Sequence, residues 1–325
     1  MRKQVQHHIE KALSHNENTS WPWLRIFAVS TGGLHFVQAI LATGLYAGTR
    51  PAVTVHVTAN YALWLKGSAP ATLNCAASDG GTQYCGADAG TINMMGLVIA
   101  FFALSAAFQL IPALFFWSVV KGWLSVGVQP ARWVEYAASA SCLLLVAFLL
   151  DGVTDVHLLA LAFAANATIM LLGYLQELVM HILRLVKEQN SIMGPYVVVY
   201  ASAHVLGWLL YLALWVILFH KFQLSYTHSG DNPDMNRVPA IVQAVYPVLF
   251  ILYTGFAIVQ MVQMGRLYKL CIVDMKGEVT VTEVKKYVKK VSTQAEWAYT
   301  ALSFVTKTLL AWMFYGGVNS YSNRG

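Results

Sequence analysis

Charge is what this sequence has least of. Only 11% of its 325 residues are Asp, Glu, Lys or Arg, against about 25% in a soluble globular domain. Some 57% are hydrophobic, and the mean hydropathy is +0.54. A surface facing water cannot be built from so little charge. Disorder is excluded for the opposite reason, since it needs low hydrophobicity and high charge. Four cysteines make no disulfide scaffold, and neither heptads nor Gly-X-Y triplets recur. The first 20 residues, MRKQVQHHIEKALSHNENTS, lack the apolar core of a cleavable signal peptide. His7, His8 and His15 form no zinc pattern with any cysteine pair, so no metal is expected. The class that remains is an integral membrane protein.

A helix crossing the hydrocarbon core needs about 20 mostly apolar residues. Seven stretches qualify, near 26–48, 93–117, 133–150, 156–180, 195–219, 240–264 and 296–318. No linker, repeat or low-complexity run divides them. The expectation is an all-α seven-transmembrane helix bundle, rhodopsin-like in architecture, forming a single domain over 1–325. It has a tail at 1–25, a bundle at 26–318 and a long loop at 49–92. The net charge of +6 does not point to nucleic acid, because the basic residues sit in tails and loops. Fifteen Lys and Arg residues fall in the N-terminal tail and alternate connections, five on the opposite side. The positive-inside rule then puts the N-terminus in the cytoplasm and the C-terminus outside.

The loop 49–92 is therefore extracellular. It holds Cys75 and Cys85 around Gly80-Gly81, a pair that reads either as a small disulfide loop or as two free thiols. The segment VTVHVTANYALWL at 53–65 alternates enough to predict a short β-hairpin on the outer surface.

An ionisable group at membrane depth costs at least about 2.5–3.5 kcal/mol, so one that is present usually has a partner and a function. Lys307 sits at the centre of the last span, in AYTALSFVTKTLLAWMFYGG, and reads as the only basic residue so placed. A structural ion pair is one explanation. The other is a lysine that forms a Schiff base, because burial favours the neutral, nucleophilic amine; retinal is a carbonyl ligand that fits a seven-helix pocket. A cationic Schiff base needs a carboxylate. Glu135 in RWVEYAASAS on the third span is one candidate, and Glu177 in LLGYLQE on the fourth is another. Glu177 reads more simply as an ordinary interfacial glutamate.

RWVEYAASAS, NATIMLLGYLQE and LSFVTKTLLAW, together with the inverted orientation and the long first outer loop, resemble the heliorhodopsins across essentially all seven spans. The resemblance implies all-trans retinal on Lys307 with Glu135 as counterion. It implies a polar cavity at the positions of His35, Ser105, Asn166 and Ser303. Two positions depart from the family pattern: Gln109 stands where a second cavity histidine is expected, and Ala140 replaces a small polar residue. Gly173 resembles the family's close approach of the fourth helix to the retinal ring, with Met170 beside it. Trp208, Trp215, Phe250, Tyr253 and Phe256 are candidates to box the polyene.

Proton-pumping relatives resemble a three-carboxylate scheme; here Ser303 and Val146 occupy the second and third positions. The resemblance therefore implies a light-absorbing photoreceptor of the plasma membrane, not an enzyme, that moves a proton locally and changes helix packing. The alternative is a light-gated proton conduit through Glu135, Glu177, His35 and His181. Gly44 and Gly48 form a GxxxG that suggests a homodimer contact within the bilayer.

Overall fold

The computed structural model describes residues 20–49, 54–64, 75–76, 82–187, 194–231, 240–274 and 280–322. Among these lie α1 (Ser20–Thr49), β1 (Thr54–Trp64), β2 (Cys75–Ala76), β3 (Thr82–Asn93), α2 (Met94–Phe115) and α3 (Trp117–Val126). They are followed by α4 (Pro130–Leu150), α5 (Val156–Lys187), α6 (Gly194–Asp231), α7 (Ala240–Asp274) and α8 (Val281–Ser322). Six helices, α1, α2, α4, α5, α6 and α7, are long and apolar enough to cross a bilayer. The 42-residue α8 completes a seven-helix bundle; the polar residues around Lys307 dilute its hydropathy. Leu34, Val37 and Leu41 on α1, Val205, Leu209 and Val216 on α6, and Ile251, Ile258 and Val262 on α7 are exposed, as lipid-facing residues are. α4 is the enclosed helix, with 61% of its most apolar window buried against 22–39% in the other five.

Several helices begin earlier than their apolar runs. Arg132 belongs to the first turn of α4 rather than to a connection, and α8 starts at Val281 rather than at 296. An apolar criterion stops at the first charge, whereas backbone hydrogen bonding continues through it. The second connection is also helical. Pro112 lies inside α2, and Phe116, at φ −124° and ψ 27°, separates α2 from α3 while its N–H donates to the Pro112 carbonyl at 3.1 Å. Gly127, at φ +79°, then ends α3 in the left-handed conformation that favours glycine. Leu24, Val120 and Leu124, with Trp21, Trp117 and Trp297 against them, pack α1, α3 and α8 together.

The connection between α1 and α2 holds a three-stranded antiparallel sheet in the order β1-β3-β2. The β-structure expected in this loop is present, with 54–64 as one strand of an antiparallel pair whose partner is β3, in register from Thr54↔Asn93 to Trp64↔Thr82 with a bulge at Val57/Thr58. Alternation describes a two-faced strand equally well, and nothing in it marks a turn. Cys75 is the register partner of Cys85; their side chains, and so the expected disulfide, lie outside the described residues.

The sheet is fastened to the bundle at both ends. Asn93 caps α2, its Oδ1 accepting from the Gly96 N–H at 2.9 Å, while its amide donates to the Tyr46 hydroxyl at 2.6 Å. Between α4 and α5, the Thr58 N–H donates to the Thr154 carbonyl at 2.9 Å. Asp155 accepts from the Asn60 N–H and, as the N-cap of α5, from the Leu158 N–H.

Next to this junction Asp151 is buried and accepts a hydrogen bond from the Tyr246 hydroxyl. Burial raises its carboxyl from the ordinary 3.8 to about 7, partly opposed by that bond. The fold therefore favours the acid form. Its contribution is fully present below the unfolded value of 3.8 and is lost as pH rises through about 7. Thermal unfolding in detergent, followed across this range, should lose stability toward alkaline pH. Asp151→Asn should flatten that slope; an unchanged slope contradicts the assignment.

Candidate functional site

Helical spacing assembles two stripes that face each other. On α8, Glu296, Tyr299, Ser303 and Lys307 follow at intervals of three and four residues, which puts them on one face. On α4, Arg132, Glu135, Tyr136 and Ser139 stand at i, i+3, i+4 and i+7, which is likewise one face. The stripes meet in two buried ion clusters, which a rise of 1.5 Å per residue separates by about 16 Å along α8. Apolar packing brackets them. Phe101, Leu143, Val146, Leu218, Tyr246, Leu310 and Phe314 fill the half toward the sheet; Met180, Leu183, Met264, Leu267 and Val291 fill the opposite half.

In the first cluster the Lys307 ammonium donates to Glu135 Oε1, with the two residues 4% and 5% exposed. Gln109 Nε2 donates to the same oxygen at 3.4 Å, and Thr31 Oγ1 donates to Gln109 Oε1 at 2.9 Å. Gln109 is thus a spacer between helix α1 and the carboxylate. His35 is fully buried, and its Nδ1 lies 2.9 Å from Gln38 Oε1. An amide oxygen only accepts, so the ring proton sits on Nδ1 and Nε2 is a bare acceptor. Among the described residues no group donates to that Nε2. The buried hydroxyls of Ser139 and Thr306 likewise have no partner among them. This density of unsatisfied polar atoms around one lysine is the mark of a site rather than of a core.

A cavity opens beside Lys307, lined by Phe101, Tyr136, Ala140, Leu143, Met170, Tyr253, Phe256 and Thr306. Tyr136, Met170, Tyr253 and Phe256 also line a second chamber that reaches Asn166, Gln176, His204, Trp208 and Gln260. The two cavities share these four wall residues and are largely apolar and aromatic, with the Lys307 amine on the wall of the first. Ala140 contributes by its smallness, and the Tyr253 hydroxyl donates to its carbonyl at 3.0 Å.

Other expected residues lie elsewhere. Asn166 is on the wall of the second chamber, donating to Ser141 Oγ at 2.9 Å, not beside Lys307. Ser105 Oγ bonds its own helix at the Phe101 carbonyl. Gly173 meets Trp133 of α4: a Cβ built there would come within 2.4 Å of the indole. Trp215 and Phe250 pack against each other and Tyr211 in the core toward the sheet, while Trp208, Tyr253 and Phe256 line the chamber.

Glu177 needs the plainest correction. It is fully buried, not interfacial. Arg132 Nη2 and Gln263 Nε2 donate to its Oε1, and the Gln129 N–H and Trp133 Nε1 donate to its Oε2. Arg132 Nη1 reaches Glu296, and its guanidinium lies 3.9 Å from the centre of the Tyr299 ring. Lys307 is therefore not the only buried cation. Sequence reading missed Arg132 and Glu296 because both lie at the margin of an apolar run; their register with Glu135 and Lys307 was the available signal.

Gly173 lets the Trp133 ring approach closely enough for its N–H to reach Glu177. Gly173→Ala should displace that ring, costing about 1–3 kcal/mol as overpacking does. A thermal melt of the purified protein reads the loss; an unchanged melt would refute the close fit.

Residues 24–318 match the model of the family described as Heliorhodopsin. No curated protein matches the chain.

Proposed function

The chain belongs to the heliorhodopsin family of retinal-based light-sensing membrane proteins, and from that premise we propose that it is a photoreceptor carrying all-trans retinal on Lys307. The observation that carries this reading is a buried lysine, paired with one carboxylate, on the wall of an aromatic cavity that shares residues with a second. The residues present fit such a ligand. Phe101, Leu143, Met170 and Phe256 offer apolar walls to a polyene, and the Thr306 hydroxyl, without a partner among the described residues, stands next to the amine.

Retinal joined to Lys307 as a Schiff base supplies visible absorption and a light-driven isomerisation. The protein supplies the rest. Glu135 holds the positive charge on the lysine nitrogen, because a buried cation stripped of its partner costs about 3–5 kcal/mol. It also orients the N–H, with Gln109 steadying the carboxylate. The bare Nε2 of His35, fixed by Gln38, is a ready acceptor for a proton released nearby. No further carboxylate stands in line: Ser303 and Val146 occupy the positions where pumps carry acids, and Val146 is fully buried in the apolar core toward the sheet. The proton then moves locally, and the output is a change in helix packing that signals rather than pumps.

The same reading gives a plasma-membrane protein with its N-terminus in the cytoplasm. It also gives a homodimer through the open face at Gly44 and Gly48, where an added Cβ would meet nothing within 4 Å. A light-gated proton conduit is the second reading. It draws on the polar stripe Ser303–Tyr299–Glu296, which leads from Lys307 along α8.

An anion beside the lysine nitrogen stabilises the ground state of the pigment more than an excited state whose charge has moved away. Glu135→Gln should therefore shift the visible band to the red, and Glu177→Gln should leave it nearly unmoved. In illuminated, voltage-clamped cells the parent should drive no sustained current against a gradient. A band that answers to Glu177 and not to Glu135, or steady uphill proton transport, would contradict the reading; a passive current reversing with voltage would select the conduit.

A further inference from the structure

The second ion cluster is not balanced. One guanidinium, Arg132, faces two carboxylates, Glu177 and Glu296. The charged groups that act on Glu296 are Arg132 on α4, Glu177 on α5 and, as a further negative charge, Glu135. Tyr299 on α8 and Tyr136 on α4 lie within electrostatic range as weak acids. From α7 the nearest polar group is the neutral amide of Gln263, which serves Glu177. Two carboxylates sharing a single buried cation do not both ionise without a severe desolvation cost. One of them must hold a proton.

Hydrogen bonding decides which. Glu177 accepts from four donors, two on each oxygen. That environment suits a carboxylate and leaves an acid proton no acceptor. Glu296 accepts from Arg132 on Oε2 and takes a second hydrogen bond from the Gln129 side chain, two donors against four. Gln129 is 6% exposed, and its Oε1 is a buried acceptor with no donor. With an acid at Glu296 the Gln129 amide can turn over, its oxygen accepting from the acid in place of its nitrogen donating to the carboxylate. The Glu296 side chain is also the most accessible of the three, at 15% against 4% for Arg132 and none for Glu177.

We propose that Arg132, Glu177, Glu296 and Gln129 form a proton-binding site, with the proton on Glu296 Oε1, directed at Gln129 Oε1 and exchanging with water at the end of the bundle where α4 and α8 begin. The site is distinct from the lysine pair. It leaves the cluster neutral, and it provides a proton store that the retinal-site reading does not require.

The test is infrared spectroscopy of the dark, purified protein with isotope-labelled glutamate carboxyls, in water and in heavy water, so that it is independent of any photochemistry. The parent should show one carbonyl stretch of a protonated glutamate that shifts promptly in heavy water. Glu296→Gln, which mimics the acid, should abolish that band while the protein melts as the parent does. Glu177→Gln should also abolish it, because one carboxylate then suffices for Arg132, but should lower the melting temperature. Gln129→Leu removes the acceptor and should move the band to the frequency of a free acid. A band that survives Glu296→Gln, or its absence from the parent, would overturn the proposal and leave the assignment of Lys307 untouched.

Discussion

A cation buried in an apolar bundle must have an anion fixed against it, and the architecture of this protein answers that requirement twice. Lys307 and Arg132 lie at depths where water cannot reach them, on α8 and α4 respectively. Each therefore dictates the position of carboxylates on neighbouring helices: Glu135 for the first, Glu177 and Glu296 for the second. The register of α4 against α8 follows, because Arg132 and Glu135 are one turn apart on α4 while their partners Glu296 and Lys307 are about three turns apart on α8. Sliding either helix by a residue would strand a charge.

Around these clusters the apolar residues do two different jobs. Toward the sheet and toward the opposite end they pack into continuous buried clusters, and the sheet is tied to the α4–α5 junction through Thr58, Asn60 and Asp155. Between these clusters they line two cavities, the first beside Lys307. The carboxylates of the two ion clusters are held differently. Glu177 accepts from four donors and locks α4, α5 and α7 together. Glu135 accepts from Lys307 and Gln109, and nearby His35, Ser139 and Thr306 each keep a polar atom without a partner among the described residues.

Much of this was legible in the sequence because its physics is one-dimensional. Apolar runs of membrane length give the spans, and a lysine in the middle of one gives the site. Glu135 could be paired with Lys307 by type and depth, and the family resemblance rests on the motifs around both. The rest depends on three-dimensional placement. Glu177 looks interfacial from its position near the end of an apolar run, and only the packing of Trp133 on Gly173 and the insertion of Arg132 show it to be enclosed. Asn166 and His35 read alike as polar residues in apolar helices, yet Asn166 lines the second chamber while His35 lines neither. The strand 54–64 betrays its alternation but not its partner, since β3 carries glycines and polar residues that break the pattern.

The account stands on the lysine. Retinal added to the protein in the dark should give a visible band, and borohydride should then fix the ligand irreversibly to nitrogen. Peptide mass spectrometry of the reduced protein should find the added mass on Lys307 alone, with no band and no adduct in Lys307→Ala. An adduct on any other lysine, or a visible, trappable pigment in Lys307→Ala, would contradict the central claim.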